Sequence, residues 1–271
     1  MAEEAIDFRP LEVVFSVPGM DQVQRQRDLI YKSLPSGTLL MDIYHPPPPA
    51  RQPLPAVVFV HGDGPADWLK DIKDWGQYVS WGRLVAASGL IGVTFNHRST
   101  ERWTRIADAA EDVDDLMATI RGRATEYGVD PSRLAVWVAS AGGFLGARAA
   151  FDHRSSVRCL AVYYGLMEPV GGPELEKFSV KAVVNQDGAP VLVARAGLDR
   201  PQLNEALDRF TDAALKAGLE LEVHNHARGH HAFDVLDPRP RSSEIIVRTI
   251  EFLKTHLLSS VTQDALRTTN R

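Results

Sequence analysis

From residue 56 onward, short β-branched runs punctuated by Gly or Pro alternate with longer stretches whose apolar residues recur every three or four positions. A buried strand reads as a brief continuous apolar run and an amphipathic helix as a 3.6-residue stripe, so this alternation predicts βαβ units and a mostly parallel sheet with helices on both faces. The predicted parallel strands are 56–60, 90–95, 134–139, 157–163, 190–196 and 219–224. Between them, Ile106, Ala109, Val113, Leu116, Ile120 and Ala124 share one helical face, as do Leu203, Leu207, Phe210 and Ala214 in a helix that stops at Gly218. Ile246, Ile250, Leu253 and Leu257 stripe the last helix, with Ser242 or Ser243 as its expected cap.

Upstream the pattern changes. Residues 11–17, 28–31 and 39–44 read as short strands, the last two joined by the turn Leu34-Pro35-Ser36-Gly37, which predicts an antiparallel edge. The proline run Pro46 to Pro49 then stops the ladder, because proline has no N–H to donate. With 271 residues, 44% of them hydrophobic, residues 1–271 are expected to form one α/β domain around a sizeable core. Residues 165–188 lack clear periodicity between two strands and are the expected small cap; the polar stretch 259–271 is the expected frayed tail.

Several classes of function fall away on charge and cysteine content. A net charge of −5 without a basic stripe argues against nucleic acid as a partner. No segment approaches the roughly 18 continuous apolar residues of a membrane span, and the acidic Met1-Ala2-Glu3-Glu4 start lacks the basic and apolar parts of a signal peptide, so the expected location is cytoplasmic. The one cysteine, Cys159, lies in an apolar run and is expected to be a buried strand residue. Homo-oligomerisation is left open by the sequence.

Ser140 directly follows the strand 134–139 and precedes Ala141-Gly142-Gly143, which opens a helix. A strand–serine–helix turn holds a hydroxyl above the sheet on a tight backbone and so requires small neighbours; the usual pattern is G-x-S-x-G, here with Val138 at the first glycine. Asp199 comes just past the strand 190–196, and His230 and His231 just past 219–224. Carboxyl ends of parallel strands open on one crevice, and the chain order Ser, Asp, His is the order this architecture uses. That makes Ser140 the candidate nucleophile, His231 the general base and Asp199 the acid that orients it. His61-Gly62-Asp63-Gly64, after the strand 56–60, is a glycine turn whose amides can approach a developing oxyanion.

With these segments in view, the chain resembles the α/β-hydrolase superfamily, and within it the dienelactone-hydrolase-like and acetyl-esterase-like serine hydrolases. The resemblance covers about residues 27 to 258 and rests on Asp42-Ile43-Tyr44-His45-Pro46, His61-Gly62-Asp63-Gly64, Ser140-Ala141-Gly142-Gly143, Gly197-Leu198-Asp199 and His231-Ala232-Phe233. It implies an oxyanion hole formed by the N–H of Ala141 with that of Asp63 or Gly64. It also implies His231, which precedes Ala232-Phe233, as the base in place of His230. Two departures stand out: Asp63 interrupts the glycine run that related esterases carry, and Ser140 occupies the position where dienelactone hydrolase has cysteine.

The expected activity is hydrolysis of small-acyl carboxylic esters through an acyl-enzyme, with a small-molecule ester as partner and no cofactor or metal. The alternatives are a peptidase or amidase like the prolyl-oligopeptidase relatives, and a non-catalytic hydrolase-fold protein that binds a ligand. His224, His226, His230 and His231 could be read as a metal site, but His231 has the better-motivated role as general base, so no metal is expected. Trp68, Trp75, Tyr78 and Trp81 are expected mainly as helix core, with a pocket lining as the alternative, and Asn96-His97-Arg98 as a crevice-edge segment of structural or substrate-contacting role.

Overall fold

The computed structural model describes residues 6–49, 53–169 and 171–258. Its centre is an eight-stranded sheet in the order β1-β2-β4-β3-β5-β6-β7-β8. The strands are β1 (Gln24–Leu34), β2 (Gly37–His45), β3 (Leu54–Val60), β4 (Ile91–Phe95), β5 (Val129–Ala139), β6 (Val157–Tyr163), β7 (Val191–Ala196) and β8 (Leu221–His226). The helices are α1 (Ala66–Leu69), α2 (Gly76–Ala87), α3 (Ile106–Gly122), α4 (Ala124–Tyr127), α5 (Gly142–Asp152), α6 (Pro201–Lys216), α7 (Phe233–Leu236) and α8 (Pro240–Leu258).

Residues 11–17 apart, the apolar runs and 3.6-period stripes become strands and helices in the order predicted. β3 through β8 pair in parallel, while β1 and β2 form an antiparallel hairpin whose turn closes at Gly37 with φ of 137°, and β2 pairs antiparallel with β4. Central strand residues such as Val58, Val136, Val162 and Val193 are fully buried, with α3, α5 and α6 over one face; α2 and α8 cover Val57, Trp137, Ala161 and Leu192 on the other. Cys159 is buried within the second of these layers, where burial pushes its thiol pKa up and keeps it inert.

Three expectations change. Residues 11–17 are not a strand: their amides find isolated partners, Val13 donating to Ser80 Oγ (2.9 Å) and Val14 to the Asp234 carbonyl (2.8 Å), so no ladder forms. Neither Ser242 nor Ser243 caps α8, which begins at Pro240, a residue suited to the first helical position, and Ser242 is buried against His226 Nε2 at 3.1 Å. Ala124 lies beyond the end of α3, in the short α4. Residues 171–188 contain two 3-10 turns, and Leu175, Phe178, Val183 and Val184 pack onto the core. The predicted tail 259–271 lies outside the described residues.

Among the described residues no helix is long and apolar enough to cross a membrane.

Candidate active site

Ser140 sits between β5 and α5 with φ of 52°, a left-handed conformation that a non-glycine residue adopts only where its surroundings enforce it. Here they do. Its N–H donates to the Tyr163 carbonyl (3.2 Å), and its own carbonyl accepts from Gly143 N–H (3.0 Å) and Leu166 N–H (2.7 Å). The neighbouring backbone comes so close that a Cβ on Gly143 would lie 2.5 Å from the Leu166 carbonyl oxygen, and one on Gly62 would lie 3.0 Å from Ser140 Cβ.

The loops after β7 and β8 are stitched together by Gly197 N–H to the His226 carbonyl and Leu198 N–H to the Gly229 carbonyl, each 2.9 Å. This brings Asp199 and His231 to the same strand ends as Ser140. His231 Nδ1–H donates to Asp199 Oδ2 at 2.7 Å, and Ser140 Oγ lies 3.1 Å from His231 Nε2, close enough to donate its hydroxyl proton. The Asp199 side chain is 1% exposed, so its carboxylate is directed at the imidazole and, through Oδ1, at the Arg200 amide. His230 is exposed and His231 partly buried.

The glycine turn after β3 is fixed by stacked imidazoles. His61 and His97 lie 3.6 Å apart with planes 9° from parallel. The His97 amide donates to His61 Nε2 (3.1 Å), so the His61 proton is on Nδ1, which donates to the Gly62 carbonyl (2.6 Å). Burial lowers the pKa of both rings. Asp63 is anchored too: its carboxylate accepts from the Thr100 amide (3.0 Å) and the Thr100 hydroxyl, while Ser99 Oγ donates to the Gly64 carbonyl (2.8 Å). A cleft of about 350 Å3 opens beside Ser140, walled by Asp63, Ala141, Trp103, Leu166 and Leu203, with Arg102 and Arg200 on the same wall. Gly64 is not part of that wall; it lies against Leu69 and Trp68.

A family profile, BD-FAE, matches residues 41–211, more than half of the chain. The chain belongs to the BD-FAE family. The span that matches BD-FAE runs from β2 into α6, includes Ser140 and Asp199, and ends before His231. No curated protein matches the chain. Among solved structures, esterase 2 of Thermogutta terrifontis phosphorylated by paraoxon superposes with a TM-score of 0.71 at 20% identity, covering 90% of this chain and 98% of that one. Its butyrate-bound form gives 0.69 at 20% identity, covering 89% and 95%. A truncated carbohydrate esterase from gut microbiota gives 0.70 at 17% identity, covering 91% and 99%. At such identities the likeness establishes the fold, and this BD-FAE member has the α/β-hydrolase fold that its motifs predicted.

The structure also brings in two residues that sequence reasoning passed over, Tyr164 and Asp234, and seats Phe233 where it anchors the His231 loop. Tyr164, with φ of 39°, lays its ring 4.7 Å from that of His231 and donates its hydroxyl to Asp234 Oδ1 (2.7 Å). Asp234 is fully buried and also accepts from Trp81 Nε1 (2.8 Å) and Gln77 Nε2 (2.9 Å); burial nevertheless raises its pKa. Phe233 is buried against Tyr163, Tyr164 and His226, anchoring the loop that carries His231 in this BD-FAE chain.

Other predicted residues lie apart. Tyr78 and Trp81 are core, whereas Trp68 is 59% exposed and meets Trp75 away from the cleft. Asn96 and Arg98 are structural: Asn96 ties Lys70 and Lys73 backbone, and Arg98 pairs with buried Asp112. The clustered histidines have separate partners, His224 with Glu222, His226 with Ser242 and Asp237, and His231 with Asp199.

Proposed function

We propose that this chain is a serine hydrolase of carboxylic esters bearing small acyl groups, with Ser140 as nucleophile, His231 as general base and Asp199 as the group that orients it. The observation that carries the reading is the continuous hydrogen-bonded chain from Asp199 through His231 to a left-handed Ser140. Hydrogen bonding to Asp199 keeps the His231 proton on Nδ1, leaving Nε2 free to take the Ser140 proton as Oγ attacks the ester carbonyl. His231 then returns the proton to the leaving alcohol. Water, deprotonated by the same Nε2, cleaves the acyl-enzyme and releases the acid, a cycle that uses neither metal nor cofactor.

The oxyanion would be received by the N–H of Ala141 with a loop amide, Asp63 being better placed than Gly64 because it shares the cleft wall with Ser140. A further support is that the Thermogutta esterase has been captured both phosphorylated by paraoxon and with butyrate bound. A fluorophosphonate probe tests the assignment: it should label the protein on the peptide containing Ser140, and Ser140→Ala should abolish labelling and lower p-nitrophenyl butyrate hydrolysis at least about a thousandfold. Retained turnover in that variant would refute it.

A further inference from the structure

The cleft beside Ser140 carries two guanidinium groups that the reaction scheme leaves unused. Arg102 and Arg200 line it together with Trp103, Leu166 and Leu203, so the site combines apolar area with two cationic side chains. Arg102 has no carboxylate partner among the described residues. Glu101, next to it in sequence, pairs with Arg105, as does Asp108, and Glu168 pairs with Arg209. Arg200 is 67% exposed, and its Nε lies 3.8 Å from Asp199 Oδ1, a long ion-pair contact beyond hydrogen-bond reach; that oxygen accepts instead from the Arg200 amide at 2.7 Å.

Among the described residues, the one carboxylate on the cleft wall itself is Asp63, and both of its oxygens are occupied by Thr100. That bond has a second effect. Together with Ser99 Oγ on the Gly64 carbonyl, it clamps the loop 99–104 onto the turn after β3. Within the clamp three successive residues, Glu101, Arg102 and Trp103, hold φ of 47°, 53° and 78°, and the Trp103 ring rests edge-on against Phe144 at 5.5 Å. Left-handed backbone over three non-glycine residues persists only where the surroundings determine it, so Arg102 is presented from a fixed loop. Asp63, which interrupts the glycine run, thus supplies the tether that sets an arginine beside the nucleophile.

We infer that this cleft selects esters carrying a carboxylate, received by Arg102 and Arg200. A guanidinium offers planar paired donors that match a carboxylate, and partial enclosure by Trp103, Leu166 and Leu203 strengthens each charge-assisted bond relative to open solvent. The inference rests on the ester-hydrolase reading above and adds its substrate class.

Two matched ester pairs test it, one with the charge on the acid side and one on the alcohol side. They are monomethyl glutarate against methyl 4-carbamoylbutanoate, and 4-acetoxybenzoate against 4-acetoxybenzamide, each followed by product NMR at low and high salt. In at least one pair kcat/KM should favour the anion by about tenfold, as expected of two partly screened arginine contacts, and the ratio should shrink as salt rises. In Arg102→Gln/Arg200→Gln the same ratio should fall to about one. Ser140 labelling by fluorophosphonate alongside a wild-type ratio of one or below in both pairs, or a ratio unaltered by the double substitution, overturns the inference alone. Absence of both labelling and turnover refutes the hydrolase reading on which it rests.

Discussion

His231 is held on three sides: Asp199 at Nδ1, Ser140 at Nε2, and the Tyr164 ring against its face. His230 has none of these and faces solvent. Neighbours in sequence project in different directions, and here the left-handed Ala232, with φ of 59°, and buried Phe233 fix which of the two points inward. His231→Ala should therefore lower kcat about a thousandfold or more, while His230→Ala should stay within about threefold of the wild type, with circular dichroism confirming folding of both. An inactive His230 variant would move the base by one residue. At this scale the juxtaposition of Ser140, Asp199 and His231 was legible because serine, acid and histidine each follow a strand end in the order expected of such a site. Asp234 and Tyr164 were not, since a buried acid in the short α7 looks in sequence like any surface aspartate, and its donors Gln77 and Trp81 are more than 150 residues away.

The β5–Ser140–α5 unit shows how an element absorbs a motif departure. Where G-x-S-x-G has its first glycine, this chain has fully buried Val138, and the space is recovered across the turn at Gly146. A Cβ on Gly146 would lie 2.6 Å from Val138 Cγ1 and 2.7 Å from Val60 Cγ2. Gly146→Val should accordingly destabilise by about 1 to 3 kcal/mol through overpacking, despite the slightly better helix propensity of valine. Adding Val138→Ala should recover part of that loss, and urea denaturation of the four combinations measures the coupling; strict additivity would show that the two sites do not share space. The sheet was readable for a related reason. Central strands bury both faces and so appear as continuous apolar runs, which places β3, β4, β6 and β7, and the end of β5, within a few residues. Residues 11–17 have the same composition, but their amides are satisfied singly by Ser80 and by the Asp234 carbonyl, a distinction no local pattern carries. The loop 99–104 was equally silent, because its conformation depends on Asp63, 37 residues earlier in the chain.

Two properties belong to the molecule as a whole. The first is substrate length: a cleft of about 350 Å3 whose wall, among the described residues, takes only Leu166 from the segment 165–188 suits a short acyl group, so kcat/KM across p-nitrophenyl esters should peak at about two to four carbons and fall by ten; a steady rise to long chains would reveal a deeper tunnel. The second is acid sensitivity. His45, His61, His97 and His226 are all buried and all have pKa values lowered from 6.5, chiefly by desolvation. A depressed folded-state pKa means that below pH 6.5 the unfolded chain binds protons the native state refuses, so the stabilisation is complete above pH 6.5 and is lost as pH falls toward the folded-state values. Each such histidine contributes a slope of up to about 1.4 kcal/mol per pH unit within its window. Asp234, with its pKa raised from 3.8, works in the opposite sense, losing stability as pH rises, but it is one group against four. Unfolding free energy should thus decline from pH 7 to pH 5. His61→Gln should flatten that decline by up to one proton, because Nε2 of His61 accepts the His97 amide and cannot be protonated without breaking that bond. Urea titrations of wild type and variant at half-unit pH steps measure both slopes, and equal slopes would mean that the His61–His97 stack is not where the native state excludes the proton.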